Sequence, residues 1–158
     1  MLLVPHTIVG VAIAATVPNP LISVPLSFGL HFLGDMVPHW DFYTGTTREE
    51  RLKGWIPLAI MADLTLGVAT GVFFTLYALW VVKNPHLALN IFMCGIASVL
   101  PDVITGPSMY IEHANGISKI VHKIQSKLQF QTDLPWGLIT QLVVVAASLL
   151  LISGSIIL

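Results

Sequence analysis

The chain has 158 residues, of which 55% are hydrophobic and 9% charged, with a formal net charge of −1 and a mean hydropathy of +0.84. Soluble domains carry about 25% charged residues, so the composition excludes that class and points to an integral membrane protein. With no run of Lys or Arg there is no footing for nucleic acid, and Cys94, the one cysteine, has no intrachain partner for a disulfide.

Five apolar segments lie at about 2–17, 20–37, 56–82, 86–104 and 136–158, against the ~20 residues that a full crossing needs. The opening MLLVPHTIVG lacks the basic stretch of a cleavable signal, so insertion by the chain's own helices is the simpler expectation. The first segment is ~24 Å long at 1.5 Å per residue, and VPNP at 17–20 breaks it from the second. Residues 2–37 therefore read as a short helical hairpin. Asn19-Pro20 and Asn84-Pro85 each open a helix, since Asn caps and Pro fits a first turn that lacks an N–H partner. Asp133 with Pro135 marks the last start in the same way.

Trp40, Trp55, Trp80 and Trp136 all fall at predicted span ends, as in an aromatic belt. The connections 38–55 and 105–134 carry Arg48, Arg51 and Lys53 and then Lys119, Lys123 and Lys127. With five spans these connections share a side, and the positive-inside rule makes it cytoplasmic. That orientation implies a multi-pass protein of a prokaryotic-type inner (cytoplasmic) membrane, with its N-terminus inside and its C-terminus outside. In ISKIVHKIQSKLQF (117–130), Ile117, Ile120, Val121, Ile124 and Leu128 recur at helical spacing beside a lysine stripe. This reads as an amphipathic helix in the membrane interface, or equally as a solvated connector packed on the bundle. The expected fold is one all-α membrane domain over 1–158, a bundle of about five transmembrane helices plus the interfacial helix, with 136–158 as the final span.

A weak internal repeat is visible. HTIVGVAIA (6–14) parallels DLTLGVATG (63–71), and LGDMVPHWDFY (33–43) parallels LPDVITGPSMY (100–110). The match sets His6 opposite Asp63 and Asp35 opposite Asp102, so 1–43 and 58–110 read as two related helical hairpins, each with a polar group near its start and another near its end.

The polar residues concentrate in HFLGDMVPHWDFY (31–43). His31 and Asp35 are four apart and share a helix face, Pro38 stops the helix near Val37, and His39 and Asp41 lie in the turn beyond. In the five-span arrangement His6, His31, Asp35, His39, Asp41, Asp63 and Asp102 all lie near the cytoplasmic ends of their helices. An ionisable group at membrane depth costs about 2.5–3.5 kcal/mol on insertion scales, and no intramembrane Lys or Arg stands by as counter-ion. A divalent cation accounts for the cluster better than salt bridging does. Imidazole and carboxylate ligands suit Zn²⁺ first, then Mn²⁺ or Fe²⁺, and this many ligands could hold one ion or two. Each residue also has an ordinary reading. His31 and Asp35 can be a hydrogen-bonded pair, Asp63 and Asp102 caps or proton sites, His39 and Asp41 loop residues, and His6 interfacial. His113 and His122 can approach the cluster from the cytoplasmic side. No GxSxG, activated Ser or Cys, Walker loop or GxGxxG is present, so any hydrolytic activity has to come from a metal-activated water.

HFLGDMVPH is similar to the zinc-dependent phospholipase C signature, in which His, an aromatic, Gly and Asp at +4 precede Pro and a second His. His31, Phe32, Gly34 and Asp35 match in order and spacing. Pro38 and His39 fall at +7 and +8, where that family has +8 and +10, so the carry-over stops at Asp35. Over most of its length the chain resembles the small predicted membrane-bound metal-dependent hydrolases, which have an early His and PD-type motifs at helix ends, here LPD at 100–102. The resemblance implies a membrane-embedded hydrolase cleaving a phosphoester or phospholipid headgroup bond at the cytoplasmic leaflet. Its metal ligands would be His6, His31, Asp35, Asp63 and Asp102, with His39 and Asp41 completing the shell or acting as acid and base. Membrane lipid, with an anionic headgroup, is the expected partner. The competing expectations are a small ion, proton or metal transporter using Asp63, Asp102 and His31, and a structural membrane protein with a metal staple.

Overall fold

Asparagine–proline pairs set two of the helix starts. The Asn19 side chain accepts from the Leu21 N–H at 3.0 Å and that of Asn84 from the Leu87 N–H at 3.0 Å, with Pro20 and Pro85 in the first helical positions. The computed structural model describes residues 1–110 and 116–157, so His113 lies outside the described residues. Its elements are α1 (Leu3–Thr16), α2 (Pro20–Asp35), α3 (Arg48–Arg51), α4 (Ile56–Trp80), α5 (Pro85–Tyr110), α6 (Gly116–Leu128), α7 (Trp136–Ile152) and a π-turn at Ser153–Ile157.

Among the described residues three helices are long and apolar enough to cross a membrane, over Ile56–Trp80, Pro85–Gly106 and Trp136–Ser155. The first two of the five expected spans are shorter, 14 residues in α1 and 16 in α2. Their surroundings give the physical reason. A helix that is apolar all round belongs inside a bundle rather than against solvent or lipid. In α1 nine of the fourteen residues are buried, enclosed by α5, α4, α7 and α2. The link Val17–Asn19 turns the chain back, and the far end of α2 meets the start of α1, with Asp35 Oδ1 3.1 Å from His6 Nε2.

α2 is polar inside and apolar outside. Its buried residues are Ser23, Ser27, His31 and Asp35, one stripe at a spacing of four, while Leu21, Ile22 and Leu33 are exposed. α6 has three faces. Ser118 and Gln125, seven apart, are buried; Ile117, Ile120 and Ile124 are exposed; Lys119, Lys123 and Lys127 form the third stripe. The apolar stripe thus points away from the bundle, as in a helix lying in a membrane interface.

The two ends of the bundle are tied by side-chain amides. At one end Asn90 of α5 donates to the Ala14 and Val17 carbonyls at 3.1 and 3.0 Å and accepts from Ser23 Oγ at 2.6 Å, which satisfies carbonyls that the end of α1 would otherwise leave orphaned. At the other, Gln141 of α7 accepts from the Leu2 N–H at 2.9 Å and donates to the Trp40 carbonyl at 2.8 Å. Close backbone approach needs glycine in places. A Cβ at Gly10 would lie 2.7 Å from the Cys94 carbonyl oxygen of α5, and one at Gly67 3.2 Å from Leu3 Cβ. The two glycines aligned in the repeat therefore both sit at helix contacts, although α1 and α4 differ in length, 14 residues against 25.

Gly137 packs hardest, since a Cβ there would run into the Trp40 backbone nitrogen. Backbone cannot swing aside as a long side chain can, so Gly137→Ala is expected to cost about 1–3 kcal/mol by overpacking. Thermal unfolding in detergent should show a lower Tm; an unchanged Tm would contradict this packing.

Candidate metal centre

His31 is placed by the α2 stripe and oriented by α5. Its Nδ1–H donates to the Ser98 carbonyl at 2.8 Å. A carbonyl can only accept, so this bond leaves Nε2 as the nitrogen that carries the lone pair in the neutral ring. Around that Nε2 stand Asp35 Oδ2 at 3.4 Å and Asp102 Oδ1 at 3.5 Å. His6, from α1, stacks on the His31 ring with centroids 4.0 Å apart and lies 3.1 Å from Asp35 Oδ1. The Met1 amino group pairs with the same Asp35 oxygen. His6, His31 and Asp35 are buried.

A lone pair facing two carboxylates needs donors or positive charge beside it. The Met1 ammonium on Asp35 and the Gln125 amide N–H groups at His31 Nε2 and Asp102 supply them here, and a metal ion could take the same place. Ligand atoms of His6, His31 and Asp102 all lie within 4.8 Å of one another. Bonds of about 2.1 Å in tetrahedral geometry set ligand atoms ~3.4 Å apart, close to the separations around His31 Nε2. The Nδ1–H bond to a backbone carbonyl is also the usual way in which a ligating histidine is aimed. A further residue fits the same account. Gln125 of α6 places its side-chain nitrogen 3.0 Å from His31 Nε2 and 2.8 Å from Asp102 Oδ1, while its buried Oε1 has no hydrogen-bond partner among the described residues. A half-turn of that amide would present an oxygen ligand to a cation.

The other expected site residues sit beside this group. Asp63 accepts from the Leu3 N–H at 2.8 Å and the Val4 N–H at 3.5 Å, so it caps the start of α1. His39 donates from Nδ1 to the Val37 carbonyl at 2.8 Å and turns Nε2 toward Asp41 Oδ2 at 3.6 Å. Asp41 Oδ1 accepts from the Tyr43 and Thr44 N–H groups at 2.8 and 3.0 Å and from Gln131 at 3.1 Å, and Oδ2 accepts from Gln129 at 2.6 Å. The loop and the segment after α6 are also joined through backbone, by His39 N–H to the Phe130 carbonyl and Thr132 N–H to the His39 carbonyl. The four glutamines, Gln125, Gln129, Gln131 and Gln141, are the polar partners that sequence reasoning missed. For Gln125 a signal existed in its spacing of seven from Ser118; for the others none did.

A cavity of about 800 Å³ lies beside these groups and meets them at Asp102 and Gln125, while His6, His31 and Asp35 do not line it. Asp41, Asp63 and Asp102 all line it, with Gln125, His122 and Arg51, and Leu52, Pro57, Ile60 and Met61 give it an apolar side. His39 lies behind Asp41 and is fully buried.

Burial pushes the Asp41 carboxyl up, but the His39 imidazole, the Met1 ammonium and the Tyr43 N–H together outweigh it and hold the group below its ordinary value of 3.8. A carboxyl depressed on folding stabilises fully above its unfolded pKa and loses that contribution as the pH falls through its folded one. Hydrogen exchange at the Tyr43 and Thr44 amides should therefore stay protected from neutral pH down past ~4 and open only in stronger acid. Asp41→Asn should remove that acid step, and opening already at pH 5–6 would contradict it. Compared with protein-family models, curated proteins and solved structures, the chain gives no match.

Proposed function

We propose that the protein is a membrane-embedded metal-dependent hydrolase that acts on a phosphoester, a phospholipid headgroup bond in particular. The observation that carries this reading is the His31 environment: a ring aimed by the Ser98 carbonyl, with Nε2 facing Asp35 and Asp102 and His6 stacked against it. In this reading His6, His31 and Asp102 hold the ion, Zn²⁺ first among the candidates. Asp35 reaches both histidines and fixes them in register or joins them as a ligand. When bound, such an ion supplies Lewis acidity and a water deprotonated near neutral pH.

The chain's own groups do the rest. Asp102 and Gln125 line the cavity and form the edge that a substrate would meet, and Asp41 lines it from the loop. Asp41, backed by His39, is the pair for proton transfer. The Gln129 and Gln131 amides that now occupy it must turn to the substrate for it to act. Asp63 holds the start of α1 and so the position of His6. The cytoplasmic orientation expected from the lysines and arginines belongs to the same proposal.

The one-sided placement of the ionisable groups favours this over an ion or proton transporter, which needs such groups near mid-membrane. Beyond His31 the buried polar path runs to the far end only through the neutral Ser27, Ser23 and Asn90.

Protein purified without chelator should contain zinc, manganese or iron near one or two equivalents, and His31→Ala or Asp35→Ala should lower metal affinity by about 10–100-fold. Asp41→Asn should retain the metal and lose about 10²–10⁴-fold in kcat on phosphatidic acid. Metal-free wild-type protein would sink the ligand assignment. Metal-loaded protein inert toward phosphoesters with every common divalent ion would sink the enzyme reading and leave the site.

A further inference from the structure

A second, apolar cavity lies beside the first on the outer side of the bundle. It has about 110 Å³ and lies among α1, α4 and α5, with Val68 and Val72 on one wall, Phe92 and Ile96 on the other, and glycines between them. Leu3 and Leu64 line both cavities, so the apolar groove adjoins the polar chamber. Val68 and Ile96 are about half exposed. The groove is therefore open sideways, toward the hydrocarbon that surrounds spans of this kind.

Its length fits one occupant. Residues 64–72 of α4 rise ~12 Å, against ~15 Å for half of a hydrocarbon core of about 30 Å. The glycines differ in what they do. A Cβ at Gly67 or Gly71 would touch α1, at 3.2 Å from Leu3 or 3.4 Å from Thr7, whereas one at Gly95 would meet nothing within 4 Å. Close helix packing therefore does not account for Gly95. What its missing side chain leaves is groove. At the polar end, Arg51 sits against the Tyr43 ring and donates through Nη1 to the Thr46 carbonyl at 2.6 Å, yet its buried Nε makes no hydrogen bond among the described residues. His122 lines the same chamber.

We infer that the substrate is a phosphate-headed lipid, seated with its headgroup in the polar cavity between Arg51 and Asp102 and one acyl chain in the groove over Gly95. The inference deepens the hydrolytic reading of the polar cavity and rests on it. Within a membrane an acyl chain gains little by moving from lipid to an equally apolar groove. Affinity therefore comes from the head, and the groove acts by register, aiming the phosphoester at Asp102, the edge of the metal centre that faces the cavity, which is where orientation is worth most. A lipid that merely coats the bundle has no use for the polar chamber, and a water-soluble ester has none for the groove.

The test uses the full chain in phosphatidylcholine vesicles that contain phosphatidic acid with a diazirine at the tail end. Photolysis should label peptides holding Val68–Val72 and Phe92–Ile96, and Gly95→Phe, which fills the groove, should abolish that labelling where Gly95→Ala does not. Turnover of long-chain phosphatidic acid should fall by about 100-fold in Gly95→Phe, the scale of a misplaced reacting group. Butyl phosphate, which has no tail to seat, should lose far less. Val68→Trp fills the groove from the opposite wall and serves if Gly95→Phe does not fold, with circular dichroism and metal content checking each variant. Labelling spread evenly around α4 and indifferent to both fillings overturns the inference. So does an equal loss on both substrates, or lipid turnover that neither filling lowers; in that last case the hydrolytic reading survives. Groove labelling blocked by the fillings, in protein that hydrolyses nothing, confirms the seat and overturns the enzyme reading instead.

Discussion

Two carboxylates and one imidazole lone pair cannot share a small volume of low dielectric without positive charge among them. Asp35 and Asp102 reach His31 Nε2 from opposite sides of the internal match, one at the end of α2 and one in α5. The rest of the arrangement serves that meeting. The stripe on α2 delivers two of the groups, the Ser98 carbonyl turns the ring, α1 is threaded through the middle to bring His6, and α6 closes the outside with Gln125. The Met1 ammonium on Asp35 and the Gln125 N–H groups at His31 and Asp102 supply the positive end, and the ligand atoms of His6, His31 and Asp102 are close enough for a metal ion to supply it instead.

Much of this was legible in the residues. The two Asn-Pro starts, the separation of His31 from Asp35 by one helical turn, the stop near Val37 and the meeting of His6 with that pair follow from local rules and are present. The five-span count did not carry over in the same way, because hydropathy cannot distinguish a helix that faces lipid from one enclosed by other helices. α1 is as greasy as a span and too short to be one by itself. Asp63 was placed near the site by depth alone. Its role in holding the Leu3 and Val4 amides depends on where α1 starts relative to α4, which no one-dimensional pattern contains. The glutamines escaped notice for a related reason, since an uncharged amide in a polar connection carries no signal until the fold brings it to a carboxylate.

The surface of the molecule divides by solvent rather than by element. Exposed apolar side chains cover α4 and the outer face of α2, while polar groups gather around one chamber and, at the other end, around Asn90. The three-faced α6 joins the two regimes, lysines on one side, isoleucines on another and Gln125 reaching inward. Chamber and groove meet where the first residues of α1 pass Leu64, so the site lies at the boundary between the polar and the hydrocarbon regions of the fold.

The central position of α1 has a consequence for biogenesis. Helices synthesised early usually find lipid on most sides, but α1 is walled in part by α7, the last long helix of the described chain. Until α7 arrives, a fourteen-residue segment bearing a histidine has an incomplete wall and Gln141 is not yet there to grip Leu2 and Trp40. The surroundings of α1 are therefore complete only once α7 is in place, so the two helices, far apart in sequence, depend on one packing step.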